Sequence, residues 1–487
     1  MWGELAAQIY PADGATMTAT RIPLRAEAWP GAASCTFSVA VGELSEERDF
    51  KKHIFLVKRS SDNRTIAELP RYNEAYSWKA EYYNGKGSKI GASPIHHFRV
   101  PGNEFSDSNK CRVRVIKNLY SDTGLYLLLD NPGGMYTMQG KPIWFSPQIL
   151  KCDPKGQATN LRLSGSTTLT FILKEIAYET NYAGEVLWRF SSPTAEIERK
   201  GFHHEFVKRP NGNYIILGWK TEERAIPIGG SVKEGHEQNS EFPVTFGTIE
   251  EYDQSGRQVW SWSSSAYFED TDLIDQVNDR QVPRGRTHMN AFYFDESDST
   301  IYIGFKDVSR IVKLKYPEKN ILETYYGFVP GKEQLFLEQH SINLLADNRM
   351  CVYSNNISFS KALPNVLYNT GNKDSAVSSI VLLEQDRNTE RGLKKVWEFK
   401  CDIDSEAPHF SARGGNVREL PDGNLLVCMG ASPRIFIVST DGKILFNAIV
   451  EEWNEGEKKW EGVSQYRVTP VTAGQLNQLI YGSVVNK

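Results

Sequence analysis

One pattern recurs along most of this chain and limits what it can fold into: a polar turn followed at once by an apolar strand. It reads SDTGLYLLL at 121–129, NGNYIILG at 211–218, SDSTIYIGF at 297–305, DNRMCVYS at 347–354 and DGNLLVCMG at 422–430. A second piece follows: a strand, a turn bearing Gly or Asn, and a strand often ending in an aromatic. Its copies are YDQSGRQVWSW at 252–262, KYPEKNILETYY at 315–326, QDRNTERGLKKVWEF at 385–399 and VSTDGKILF at 438–446, with ETNYAGEVLWRF at 179–190 a poorer one. Short polar turns between alternating apolar runs are hairpin signals.

Together the pieces make a unit of four antiparallel strands. Such a unit, repeated around an axis, is a β-propeller blade, and ring closure removes the exposed sheet edges that invite aggregation. Four blades have clear turns near 211, 297, 347 and 422. Residues 111–192 hold two more, the second degraded, and YRVTPVTAGQLNQLIYG is β-like and suited to closing the ring. The expectation is a six-bladed propeller over 111–487. Residues 1–103 alternate differently, in short strands around Trp78, and predict a β-sandwich of immunoglobulin or fibronectin type III kind; PGNEFSDSNK at 101–110 reads as the linker. The fold class is all-β.

Composition excludes several functions. No run approaches the roughly 18 apolar residues that a membrane-spanning helix requires. A net charge of −4 over 487 residues, without clusters, does not suit nucleic acid. The six cysteines (35, 111, 152, 351, 401 and 428) are scattered and read as buried free thiols. MWGELAAQIYPADGATM has no basic segment ahead of an apolar core, so no export signal is read in this numbering.

The histidines carry the functional expectation. His204 stands seven residues before the turn residue Asn211, and His340 seven before Asp347. His288 precedes its own strand in RTHMNAFYFDESDSTIYIG, with a turn three residues longer. Blade symmetry would gather the three at one mouth of the channel. In this register Gly415 leaves room in another blade, and Val115 holds the place in the first. Long insertions at 219–246, 263–287 and 354–377 fall on the same face, as binding loops do. Their aromatics, Trp219, Phe242, Tyr267 and Phe268, could hold aryl groups or sugars. His53, His236 and His409 are out of register and read as structural or exposed; His96 and His97 read as a strand-end pair facing solvent.

There is no phosphate-binding glycine loop, no GxSxG and no HExxH. A cluster of imidazoles beside a cation leaves three readings. A neutral imidazole can attack a sulfuryl or phosphoryl centre and form a covalent intermediate. Three imidazoles can hold a divalent metal for a polysaccharide lyase or hydrolase. A sandwich joined to a propeller can also be a non-catalytic surface protein that binds glycans or aryl ligands.

Four phrases in order resemble the bacterial arylsulfate sulfotransferase family: HHEF…PNGNYIIL, HMNAFYFDESDSTIYIGFKDVSRIVKL, EQHSINLLADNRMCVYSN and GGNVRELPDGNLLV…PRIFIVSTDGKI. They span most of residues 200–450. The resemblance implies ping-pong transfer of a sulfuryl group from a phenolic sulfate ester to a phenol, without a nucleotide donor, cofactor or metal. It implies His340 as the nucleophile that becomes sulfohistidine. His288 and His204 would line the sulfate site and move protons, with His203 as the neighbour of His204, and Asn290 would be a polar partner. The family's arginine falls on Lys306 here, which keeps the charge but not the planar fork, and Arg310 lies close enough in sequence to compensate. The family points to the periplasm or cell surface, and a homodimer is compatible with the layout.

Overall fold

The computed structural model describes residues 9–122, 124–153, 155–192, 201–225, 241–269, 272, 287–329, 331–357, 377–386, 388–389 and 391–485. Alternation in the first hundred residues folds into two layers. The larger runs in the order Ile54–Ser60, Ser34–Val41, Glu74–Tyr83, His96–Val100, with Ala15–Thr16 parallel at its edge and Lys89–Ala92 beside Glu74–Tyr83. The smaller pairs Arg21–Arg25 with Arg64–Glu68. Phe37, Trp78 and Tyr76 of the first layer share one buried core with Ile22, Leu24 and Ile66 of the second. His96 is not a solvent-facing residue: it is buried against the Trp78 ring, 5.0 Å between centroids, while His97 keeps the edge and bonds to Asp13. The 101–110 stretch is ordered rather than slack. Asn103 and Ser106 cap each other, and Phe105 is buried.

Among the described residues the rest forms six sheets set in a ring. Four are simple four-stranded meanders whose first strands are Thr159–Ser164, His203–Lys208, Met289–Asp295 and His340–Leu344. The remaining two are made by the chain ends. Val468–Thr472 pairs with Leu125–Leu129 and so supplies the first strand of the sheet that continues through Gly134–Thr137 and Pro142–Phe145. Cys111–Asn118 pairs with Ile444–Asn454 at the outside of the sheet that begins with Asn416–Glu419. First strands touch in succession from Val468–Thr472 around to Asn416–Glu419, which meets Val468–Thr472 again. The closing strand expected near the C-terminus is therefore present. Val115 is corrected: it lies on the outer strand of the last sheet, not on an inner one.

A second correction concerns the final residues. Ala473–Val485 is an α-helix, not β. Thr472 and Gln475 bond reciprocally at its start, and Leu476, Leu479, Ile480 and Ser483 bury one face at helical spacing. A third concerns the insertion at 219–246, whose two ends extend the strands Tyr214–Ala225 and Glu241–Tyr252 as one long ladder. Residues 226–240, 273–286 and 358–376, with His236 among them, lie outside the described residues. All six thiols are free, five of them buried. No helix among the described residues is long and apolar enough to cross a membrane.

Candidate active site

Four of the six inner strands carry an irregularity near their start. The ladder slips after Thr159, His203, Met289 and His340, placing unpaired residues at the channel mouth. Asn160, His204, His288 and Ser341 have φ between +55° and +59°, and Gly415 has +108°. For side-chain-bearing residues this left-handed region is strained, and such strain gathers at functional sites. At Gly415 an added Cβ would also lie 2.3 Å from the Tyr353 ring, so the small residue makes way for packing. The slips differ in size: two residues, His204 and Glu205, are extra in one strand and only Ser341 in another. Counting seven back from each turn therefore reaches different ladder positions. The bulges, not a shared register, bring the histidines together.

They do come together. The rings of His204 and His288 are 5.4 Å apart, and those of His288 and His340 6.5 Å. His340 is 3% exposed. Its Nδ1 is 2.7 Å from Asn355 Oδ1, and its Nε2 accepts the Gly414 N–H at 3.2 Å. The Asn355 amide nitrogen donates to the carbonyls of Ser411 and Gly414, so its oxygen must face the ring. Nδ1 therefore carries the proton and Nε2 the lone pair. Burial first, then the Lys306 charge, holds the His340 imidazole well below its usual pKa, and it stays neutral.

A second chain orients His204. His203 Nε2–H donates to the Gly218 carbonyl at 3.0 Å, which leaves its Nδ1 to accept from His204 Nδ1–H at 2.5 Å. His203 itself stacks on Trp219, 3.8 Å between centroids, and burial keeps it neutral. His204 thereby presents Nε2 as an acceptor. His288 Nδ1 stands 3.5 Å from Asp307 Oδ1. Lys306 is buried, with Nζ 2.5 Å from Glu338 Oε2 and 3.4 Å from Asp307 Oδ1. Asn290 is fully buried and donates to the Gln339 carbonyl.

Arg310 stands apart. Its guanidinium bonds to Tyr267 and Asp272 and lies over Tyr267, Phe268 and Tyr326, and it makes no hydrogen bond or ion pair with a histidine among the described residues. His53 caps a helix, and His409 is held by Asp402 and Asp404. Two contributors carried no signal in the sequence. Asn355 orients the His340 ring. Tyr466 sets its ring 5.5 Å from His204 and donates its hydroxyl to the Asn290 carbonyl at 3.2 Å. Beside them a cleft of about 310 Å³, lined by Ile172, Phe202, His203, His204 and Tyr466, opens from the surface. No group of three or more His, Cys, Asp or Glu side chains with metal-holding geometry occurs among the described residues.

No curated protein matches the chain. Solved structures with a similar course include a protein of unknown function from Bacteroides caccae, 12% identical, covering 71% of this chain and 98% of its own, with a TM-score of 0.42. An auxiliary nutrient binding protein from Bacteroides thetaiotaomicron is also 12% identical, with 95% and 90% covered and a TM-score of 0.32. A periplasmic gluconolactonase from Pseudomonas aeruginosa is 11% identical, with 90% and 99% covered and a TM-score of 0.29. Residues 123–466, which contain every histidine of the cluster, match the family described as Arylsulfotransferase (ASST). The chain belongs to the arylsulfotransferase family.

Proposed function

We propose that this protein transfers a sulfuryl group from an aryl sulfate to a phenol through a covalent intermediate on His340. The observation that carries the reading is the state of that ring: neutral, buried, its proton held on Nδ1 by Asn355, its Nε2 lone pair in the histidine cluster with Lys306 alongside. The Gly414 N–H on Nε2 is long at 3.2 Å and is displaced when the donor enters.

In the first half-reaction Nε2 attacks sulfur, the N–S bond forms and the aryl O–S bond breaks. The departing phenolate takes a proton from an imidazolium in the cluster, His288 or His204. Asn355 Oδ1 steadies the positive charge that grows on the His340 ring, and Lys306 steadies the sulfuryl oxygens. In the second half the neutral imidazole takes the acceptor's phenolic proton, the phenolate oxygen attacks sulfur and the N–S bond breaks. The cleft between Phe202 and Tyr466 offers an apolar wall for the aryl ring. The two N-terminal layers are read as an immunoglobulin or fibronectin III-like sandwich and the six-sheet ring as a six-bladed propeller, with the family's setting outside the cytoplasm.

The test is a chromogenic aryl sulfate given to the enzyme without acceptor. A burst of phenol equal to the enzyme, with a sulfuryl mass increment on the peptide holding His340, is expected, and addition of a phenol should discharge it. A burst without that adduct, or turnover unchanged in His340→Ala, overturns the reading.

A further inference from the structure

Beyond the histidines, the inner strands carry a second layer of polar side chains, and it is cationic. Arg162 lies on Thr159–Ser164, Arg418 on Asn416–Glu419, and Arg467 immediately before Val468–Thr472. Glu205 lies on His203–Lys208 and accepts from Arg467 Nη2. These two residues belong to sheets separated by a third, so their contact crosses the channel. Glu205 also accepts from Asn160 at 2.8 Å, and Asn160 donates to the His204 carbonyl at 2.7 Å. The layer thus begins one residue away from the histidine cluster.

The charges here do not balance. Arg162 and Arg467 repel one another, and both act on Arg418. Burial and this repulsion pull Arg162 down to about 10. Against three guanidiniums stand Glu205 and Asp130, and burial pushes the Asp130 carboxyl up to about 7, so it is only partly ionised at neutral pH. Hydrogen-bond donors are also in surplus. Arg162 makes no hydrogen bond among the described residues; its one ionic contact is Glu205 Oε2 at 3.7 Å. Arg467 Nε and Asn416 Nδ2 are buried without partners, and the Asn416 oxygen is taken by the Val468 N–H at 3.2 Å. Arg418 gives one N–H to Asn343 Oδ1. The unpartnered acceptors in the layer are Asp130 Oδ1 and Asn160 Oδ1.

We propose that this layer is a binding site for a tetrahedral oxyanion, held between the guanidiniums of Arg162, Arg418 and Arg467 and separate from the histidine cluster. Guanidinium forks match the edges of sulfate and phosphate, and an anion relieves the repulsion among the three. The site stands whether or not His340 carries a sulfuryl group.

Titration calorimetry of the full chain with sodium sulfate, and separately with sodium phosphate, in chloride-free buffer of fixed ionic strength tests it. One site is expected in the wild type. Arg162→Gln and Arg418→Gln should each weaken it by roughly tenfold or more, the worth of a charged hydrogen bond. Lys306→Met, whose side chain pairs with Glu338 and Asp307 and with none of the three arginines, should leave the affinity within about twofold. Without anion, Arg162→Gln should melt no lower than the wild type, because a repulsive charge is gone; this establishes that it folds. Arg162→Lys keeps the charge without the fork and should bind at an intermediate level. The proposal is overturned if neither oxyanion binds, if Lys306→Met alone abolishes binding, or if chloride competes as well as sulfate.

Discussion

His340 Nδ1–H donates to Asn355 Oδ1 at 2.7 Å, and Asn355 can offer nothing else there, because both hydrogens of its amide are committed to the carbonyls of Ser411 and Gly414. A neutral amide, rather than a carboxylate, therefore sets the tautomer of the most buried histidine in the cluster. The arrangement keeps a nucleophile uncharged and aimed without adding negative charge where a sulfuryl group must approach. Asn355→Leu should lower kcat roughly a hundredfold with little change in KM, since the ring loses its tautomer and not its substrate contacts. Equal losses in both parameters would argue that Asn355 holds the loop instead. Rescue of part of kcat by Asn355→Asp, which retains an acceptor, separates the two.

Lys306 shares a buried position with Glu338 and Asp307. Removing its charge removes stabilisation of the sulfuryl oxygens and leaves Glu338 buried without its lysine. Lys306→Met is expected to lower kcat/KM by about a hundredfold and to destabilise the fold by about 3 kcal/mol. Adding Glu338→Gln should recover most of the stability in urea melts and none of the activity. Recovery of both would make the lysine structural.

His340 and His203 are both held well below the ordinary imidazole value, by burial first. In the unfolded chain each takes a proton near pH 6.5; in the folded protein they resist it. Their contribution to stability is complete above about pH 6.5 and is lost as pH falls toward the folded values, by up to about 1.4 kcal/mol per pH unit for each. Asp130, raised to about 7, acts with the opposite sign between its unfolded value and 7. The informative measurement is the difference between wild type and His203→Gln in denaturant melts from pH 7 to 5. The variant should lose less stability as pH drops, and parallel curves would contradict the buried neutral state.

Gly415 combines φ of +108° with a Tyr353 ring that would meet a new Cβ at 2.3 Å. Gly415→Ala should therefore destabilise by roughly 2–3 kcal/mol, strain and overlap together. Because the neighbouring Gly414 supplies the N–H on His340 Nε2, activity should fall as well. A stable, fully active variant would show that this strand start is more pliable than its packing implies.

What could be read in advance follows how local each signal is. Turns such as Asn211-Gly212-Asn213 and Asp422-Gly423-Asn424 dictate hairpins through their own backbone needs, so the repeated unit and the all-β class were visible. Val115 was misplaced because an alternating strand looks the same wherever it lies in a sheet; only its pairing with Ala448 marks it as outermost. The helix Ala473–Val485 was missed because Gly474 and Gly482 weaken its propensity, while its apolar stripe at 476, 479 and 480 gains stability only against the Arg21–Arg25 layer and its neighbours.

The sequence by itself determined the hairpin unit, its repetition, the burial of five of the six cysteines and the list of histidines able to meet. Those properties depend on residues within one or two turns of each other. The tertiary structure alone decided which nitrogen of each histidine carries its proton, that Asn355 and Tyr466 join the cluster, and that Arg162, Arg418 and Arg467 share one channel. Those properties depend on ring closure, which brings side chains hundreds of residues apart to within a few ångströms, and on ladder slips whose size no repeat spacing records.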